Sequence, residues 1–353
     1  MKLGLQLGYW GADPPRDAAK LVLAAEEAGF DAVFAAESWG SDAFTPLAWW
    51  GSSTSSVRLG TSVAQLSART PAACAMHALT LDHLSNGRFV LGLGVSGPQV
   101  VEGWYGQPFA RPLARTREYI SVLRQVLSRE APVRSDGPYY PLPYTGPGST
   151  GLGKPLRPIT HPLRADLPIW LGAEGPRNVA LAAEIADGWL AVFHSVRLAG
   201  LFEEWLAEGF DRPGARRSRA DFEVVANCQV VVTDDPVAER QLLKPSLAHY
   251  IARMGAPEKN FHADLFRRLG YGEEVARISA AAAEGRWQDA VDAVPDELVD
   301  ETAIVGDAER VRAEVARREA AGVSMLLVHC RDAAHIQSLT DTLADGHTLV
   351  SSL

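Results

Sequence analysis

The chain has 353 residues, 47% of them hydrophobic and 22% charged, enough for two average domains or one β/α barrel with insertions. Its formal net charge of −9, with no lysine- or arginine-rich stripe, argues against a polyanionic partner, so nucleic-acid binding is not expected. The three cysteines, Cys74, Cys228 and Cys330, are widely spaced and form no C-x-x-C pair, which argues against a disulfide framework or a zinc site.

The N-terminus enters a strand-like run at once, without a signal-peptide core. No apolar run approaches the roughly 18 residues of a membrane span. A soluble, cytoplasmic protein with no membrane partner is expected.

The apolar run holding Leu3, Leu5 and Leu7 predicts a first strand, ending at Gly8-Tyr9-Trp10. Asp13-Pro14 predicts a helix start, with Asp as cap and Pro in the first turn. Ala18, Leu21, Val22 and Ala25 recur at helical spacing, and Gly29 closes that helix. Asp31 to Ala36 reads as strand two, Thr45-Pro46 as the next helix start, and Val57 to Ala64 as strand three. Thr70-Pro71 opens a helix that ends at Asn86-Gly87. Arg88 to Gly94 is strand four, and a long helix runs from Pro112 to about Ser128.

From about 131 to 168 the chain is rich in Pro and Gly and lacks a helical period. Such a segment is either a lid or a binding loop, or a surface excursion that covers the fold. Ile169 to Ala173 then reads as strand five, Trp189 to Phe193 as strand six, and Phe222 to Val232 as strand seven. A region of about 235–293 reads as a helical insertion. Asp307 caps the following helix, and Met325 to Val328 is strand eight. Around Gly29, Gly188 and Gly322 the same pattern recurs: helix end, glycine, buried strand. Strands alternating with helices imply a parallel sheet, and eight of them close a barrel. The expected fold is therefore an α/β (β/α)8 TIM barrel, one domain over 1–353, with the two insertions.

Active sites of such barrels lie at the C-terminal strand ends. That rule selects Tyr9, Trp10, Glu37, Ser38, Asp42, Ser62, Gln65, Ser96, Glu174, Arg177, His194 and His329. No H-x-H or H-E-x-x-H spacing occurs, so no metal ligands are assigned. No G-x-S-x-G elbow occurs either, since Gly94-Val95-Ser96-Gly97 is one residue short. A site so poor in acids, bases and metal ligands suggests that a bound organic cofactor supplies the chemistry. Gly172-Ala173-Glu174-Gly175-Pro176-Arg177 would offer helix N-terminal N–H groups to an anion.

Three stretches carry a resemblance: LGTSVAQLSARTPA from Leu59, SNGRFVLGLG from Ser85, and LGAEGPRNVALAAEIADGW from Leu171. They resemble the bacterial luciferase-like superfamily and, within it, actinobacterial oxidoreductases that use the deazaflavin coenzyme F420. The resemblance runs from Met1 to about Val328. It implies a non-prolyl cis peptide at Ser62–Val63, whose bulge would face the cofactor ring, and a phosphate site on the backbone of Glu174, Gly175 and Pro176. The cofactor-binding set it implies is Ser38, Thr61, Ser62, Val63, Gln65, Val95, Ser96 and Gly172 through Arg177. It also implies a homodimer, and reduced cofactor supplied indirectly by a separate F420-reducing enzyme.

The chain departs from the F420-dependent sugar-phosphate dehydrogenases of that group. Those carry an Asp-His pair after strand two, where this chain has Glu37-Ser38, and a Glu after strand four, where it has none. Sugar-phosphate oxidation is therefore not expected. The expected reaction is hydride transfer between F420 and a small unsaturated substrate, such as an imine or enone. Glu37 and His194 are the expected proton donors. A carboxylate has an ordinary pKa of about 4 and needs burial to act at neutral pH, whereas histidine needs none. Two other readings stay open: an FMN-dependent monooxygenase, and a barrel that binds a flavin-like ligand without turning it over.

Overall fold

The structure is a computed structural model that describes every residue except 14, 16, 256–259 and 351–353, with residues 345–350 described as backbone only. In chain order its first half comprises β1 (Lys2–Gly8), α1 (Ala18–Glu27), β2 (Ala32–Ala35), α2 (Phe44–Gly51), β3 (Arg58–Thr61), β4 (Ala64–Gln65), α3 (Pro71–Leu84), β5 (Phe89–Gly94), α4 (Pro98–Gly103) and α5 (Pro112–Ser128). Then come β6 (Ile169–Gly172), α6 (Pro176–Ile185), β7 (Gly188–Ala191), α7 (Ala199–Phe210), β8 (Glu223–Asn227) and β9 (Gln229–Val232). Five helices follow: α8 (Pro236–Ala252), α9 (Phe261–Arg268), α10 (Gly272–Ala283), α11 (Trp287–Asp292) and α12 (Asp296–Thr302). The chain finishes with β10 (Ala303–Gly306), α13 (Ala308–Ala320), β11 (Met325–Val328) and α14 (Ala333–Val350).

Eight parallel staves close on themselves in the order β1, β2, β3, β5, β6, β7, β8, β11. The short β4 continues β3 and pairs with β5 near its C-terminal end. Thr61 stitches the β3–β5 seam. Its hydroxyl donates to the Gly92 carbonyl at 2.6 Å and accepts from the Gly92 N–H at 2.9 Å.

Alternation along the staves separates two apolar layers. Ala32, Phe34, Val90, Trp170, Leu190, Val225, Met325 and Leu327 fill the barrel interior, with Val63 above them. Phe34 stacks on Trp170 at 5.6 Å between ring centroids. A side chain at Gly60 would collide with Phe34, so this large ring requires a glycine on the neighbouring stave. Their sequence neighbours, such as Val33, Leu91 and Leu171, face outward against the helices. The helices of the insertion enclose a third, separate apolar cluster built on Leu247, Phe266, Ile278 and Leu298.

Several local expectations are corrected. The first helix starts at Ala18, not beside Asp13, and Pro14 lies outside the described residues. Asp42, not Thr45, supplies the oxygen that caps α2, accepting from Phe44 and Thr45 N–H at 2.8 Å each. Gly188 does not end a helix but opens β7. Strand seven is two strands: β8 stays in the barrel, and beyond Cys228 the chain leaves it as β9 to pair in parallel with β10. The continuous apolar run Phe222 to Val232 hides that exit, because both halves are buried. The helical segment continues to Thr302, past the expected end near 293. The 131–168 segment holds no helix or strand, only an isolated bridge between Ser135 and Leu142.

Candidate active site

The C-terminal ends of the staves open into a cavity of about 350 Å³. Its floor is Ser62 and Val63, with Val95 and Ser96 after β5 on one side and Gly172, Ala173 and Glu174 after β6 on the next. Gly8, Tyr9, Asn227 and His329 close the opposite wall, and the insertion contributes Tyr250, Arg253, Phe261 and His262 as the roof. The Ser62–Val63 peptide bond is cis, as the resemblance implied. Gln6 reaches up from β1 and donates from Nε2 to Ser62 Oγ at 3.1 Å.

A second cavity of about 600 Å³ adjoins the first, sharing Pro112, Glu174, Asn178 and Phe261 with it. It runs past the N-terminus of α6, where Gly175 is the cap residue and no side chain caps the helix. Gly175 adopts φ 76° and ψ 161°, a region essentially reserved for glycine. A side chain there would meet no atom within 4 Å, so its missing Cβ leaves the helix N–H groups open to the cavity. No acidic residue occupies the first turn of α6. Arg111, Arg177 and Arg268 line the same cavity, and among the described residues none of them forms an ion pair. Uncapped N–H groups and three guanidiniums without ion pairs thus face this cavity, together with the acids Glu174 and Asp264.

Glu174 links the two cavities and carries the contact between barrel and insertion. Its Oε1 lies 2.8 Å from His262 Nδ1, while its carbonyl accepts from Asn178 Nδ2 at 3.1 Å. Burial pulls the His262 imidazole down, but the Glu174 charge and hydrogen bond outweigh it and hold the pKa above 6.5. His329 is different: burial alone pushes it down to about 4.

The expected site residues divide. Ser62, Val63, Val95, Ser96, Gly172, Ala173 and Glu174 line the first cavity, and Glu174, Gly175, Pro176 and Arg177 line the second. Ser38, Thr61 and Gln65 do not face either one. Ser38 offers its carbonyl to Gln65 and Tyr105, Thr61 is spent on the β3–β5 seam, and Gln65 is 4% exposed with Nε2 on the Glu37 and Ser38 carbonyls.

The two expected proton donors also fall outside the cavities. Arg69 grips both Glu37 oxygens at 2.8 Å each, and the Gln65 N–H adds a bond of 2.7 Å. The Glu37 side chain is 2% exposed. His194 is buried between Trp189 and Phe202, its Nδ1 has no partner, and burial with the Arg318 charge pushes its pKa down to about 4. Position at a strand end was right for both, but their side chains turn into the packing beside the barrel.

Tyr250, Arg253, Phe261, His262 and Arg268 escaped the strand-end rule because the insertion supplies them. One signal was legible: Asn260 caps α9 by accepting from Ala263 N–H at 3.0 Å, which fixes His262 in the first turn of a helix.

Among the described residues no group of three or more His, Cys, Asp or Glu could hold a metal ion. No helix among them is long and apolar enough to cross a membrane. A parallel barrel with a largely apolar cavity at its strand ends, adjoining a second cavity over an uncapped helix N-terminus, has the architecture of a small-molecule-binding barrel. The family model for luciferase-like monooxygenases matches residues 3–325, and the chain belongs to that family. A Mycobacterium tuberculosis protein provisionally named a coenzyme F420-dependent oxidoreductase is 66% identical over 339 residues, covering 96% of this chain and 98% of the relative. The 5,10-methylenetetrahydromethanopterin reductase of Archaeoglobus fulgidus is 26% identical, covering 87% of each chain. Among solved structures, the coenzyme F420-dependent tetrahydromethanopterin reductase of Methanopyrus kandleri superposes with a TM-score of 0.81 at 22% identity, over 98% of this chain and 99% of that one.

Proposed function

We propose that the protein is an F420-dependent oxidoreductase that acts on a small substrate with a polarised double bond. The observation that carries this reading is the union of the two cavities. One opens above Val63 at the strand ends, and the other lies at an uncapped helix N-terminus and is lined by Arg111, Arg177 and Arg268. F420 carries a phosphate extended by an acidic tail, and the three arginines suit that tail beyond the phosphate. When bound, F420 supplies or accepts the hydride.

The chain's own residues bind, orient and hold a proton. Gly175, Arg177 and Asn178 offer backbone N–H groups to the phosphate. Val63 and the Ser62 hydroxyl, held by Gln6, form the surface against the ring. Proton delivery falls to side chains that line the cavity, which Glu37 and His194 do not. His262 is the best placed of them. Glu174 holds its Nδ1, Nε2 has no partner among the described residues, and although burial disfavours the charged ring, the Glu174 charge and hydrogen bond raise its pKa and so favour the protonated form.

The test is anaerobic oxidation of reduced F420 with acceptors bearing C=N, C=C–C=O and C=O groups. Turnover without oxygen supports the reading. Turnover only with reduced FMN and oxygen would instead make the protein a monooxygenase.

A further inference from the structure

A third cavity, of about 370 Å³, lies between the barrel rim and the insertion. Its far wall is apolar, from Leu7 and Phe193 on the barrel to Leu243, Leu247 and Val299 on α8 and α12. Its remaining polar groups are neutral: Gln229, Ser246, His249 and Thr302. No Asp, Glu, Lys or Arg lines it, in contrast to the arginine-lined second cavity.

The wall it shares with the first cavity consists of Gly8, Tyr9, Val192, Asn227, Tyr250 and His329. Four of these carry polar side chains, and none of the four side chains makes a hydrogen bond within the chain among the described residues. Asn227, Tyr250 and His329 are half-buried and Tyr9 is exposed, so their polar atoms stay open to a polar ligand group between the chambers. At Gly8, φ is 70°, and an added Cβ would meet only His329, at 3.8 Å, so the glycine keeps the partition thin.

We propose that this third cavity is the substrate chamber, and that it takes an uncharged, largely apolar molecule whose polar double bond sits at the Tyr9–Asn227–Tyr250–His329 partition, facing the cofactor cleft. The assignment rests on the cofactor reading above for which side the cofactor occupies. The chamber excludes anions and cations because nothing in it would replace their hydration. Burial keeps His329 neutral at pH 7 and lowers His249 as well, so the histidines add no charge of their own.

The test uses the F420-saturated protein and two probes of one skeleton: benzylideneacetone, an uncharged enone, and cinnamate, its carboxylate counterpart. Binding is followed by ligand NMR line broadening in the wild type, Ser246→Trp and Leu243→Trp. Ser246 is exposed and Leu243 half-buried, and both line the chamber, so either variant fills it from the α8 side. The expected result is enone binding at least tenfold tighter than cinnamate binding, weakened tenfold or more by each folded variant, with F420 affinity within twofold throughout. Equal binding of both probes, no enone binding, or unchanged enone affinity in the variants overturns the assignment. If the wild type fails to bind F420, the cofactor reading falls instead, and the same probe titration without F420 decides the chamber.

Discussion

Arg69 holds both carboxylate oxygens of Glu37, each at 2.8 Å, in a pair whose acid is 2% exposed. The guanidinium also lies over the Phe44 ring, 4.7 Å from its centroid. The pair ties the loop after β2 to the turn before α3, so Glu37 is positioned to hold the barrel rim rather than to reach substrate. Removing one partner of such a pair leaves the other buried and uncompensated. Glu37→Gln should therefore cost about 3–5 kcal/mol in a urea titration while more than half of turnover is kept. A 10²-fold loss of turnover at unchanged stability would restore Glu37 as a proton donor.

His262 and Glu174 make the corresponding tie between insertion and barrel. The folded pKa of His262 is raised, so the stability it contributes is fully present below the unfolded value of about 6.5 and is lost as pH rises through the folded one. The melting temperature of wild type should exceed that of His262→Gln most at pH 5.5–6, with the gap closing above neutral pH. A gap independent of pH would show that the imidazole is not charged there. Turnover of His262→Gln should fall by about 10², the loss expected of a general acid.

In the second cavity, Arg177→Ala and Arg268→Ala should each weaken F420 binding by about twofold to fivefold, the range of partly exposed charges. The effect should shrink in 1 M salt, where the screening length falls to about 3 Å. FMN affinity should change less than twofold. Equal losses for both cofactors would mean that the arginines serve the shared phosphate alone.

Gly175 combines an unusual backbone with an open cavity face. Gly175→Val should weaken F420 binding tenfold or more, about 1.4 kcal/mol, and lower stability by about 1–3 kcal/mol through the forced conformation. Unchanged affinity, measured by fluorescence titration, would place the phosphate elsewhere.

Most of the barrel was legible in the sequence. Its staves are short apolar runs closed by glycines and polar caps, and Thr70 and Asp307 cap their helices as read. The exit of β9 was hidden because Val230 and Val231 are as buried outside the barrel as Val224 and Val225 are within it. For the site, backbone position was readable but side-chain direction was not. The glycine-rich loop at Gly172 to Arg177 is set by backbone, so it fell where expected. Glu37 and His194 were misdirected because only the tertiary partners, Arg69 for one and Trp189 with Phe202 for the other, decide which way a strand-end side chain turns. The roof residues Tyr250 and His262 come from helices whose docking depends on a separate apolar cluster, and strand spacing carries no information about it.

The central claim is that the joined cavities hold F420 rather than FMN, and parallel absorbance titrations of the purified protein with the two cofactors test it most directly. The account predicts submicromolar binding of F420, with FMN at least a hundredfold weaker, a difference of about 2.7 kcal/mol. Tight FMN binding with no measurable F420 binding would contradict it.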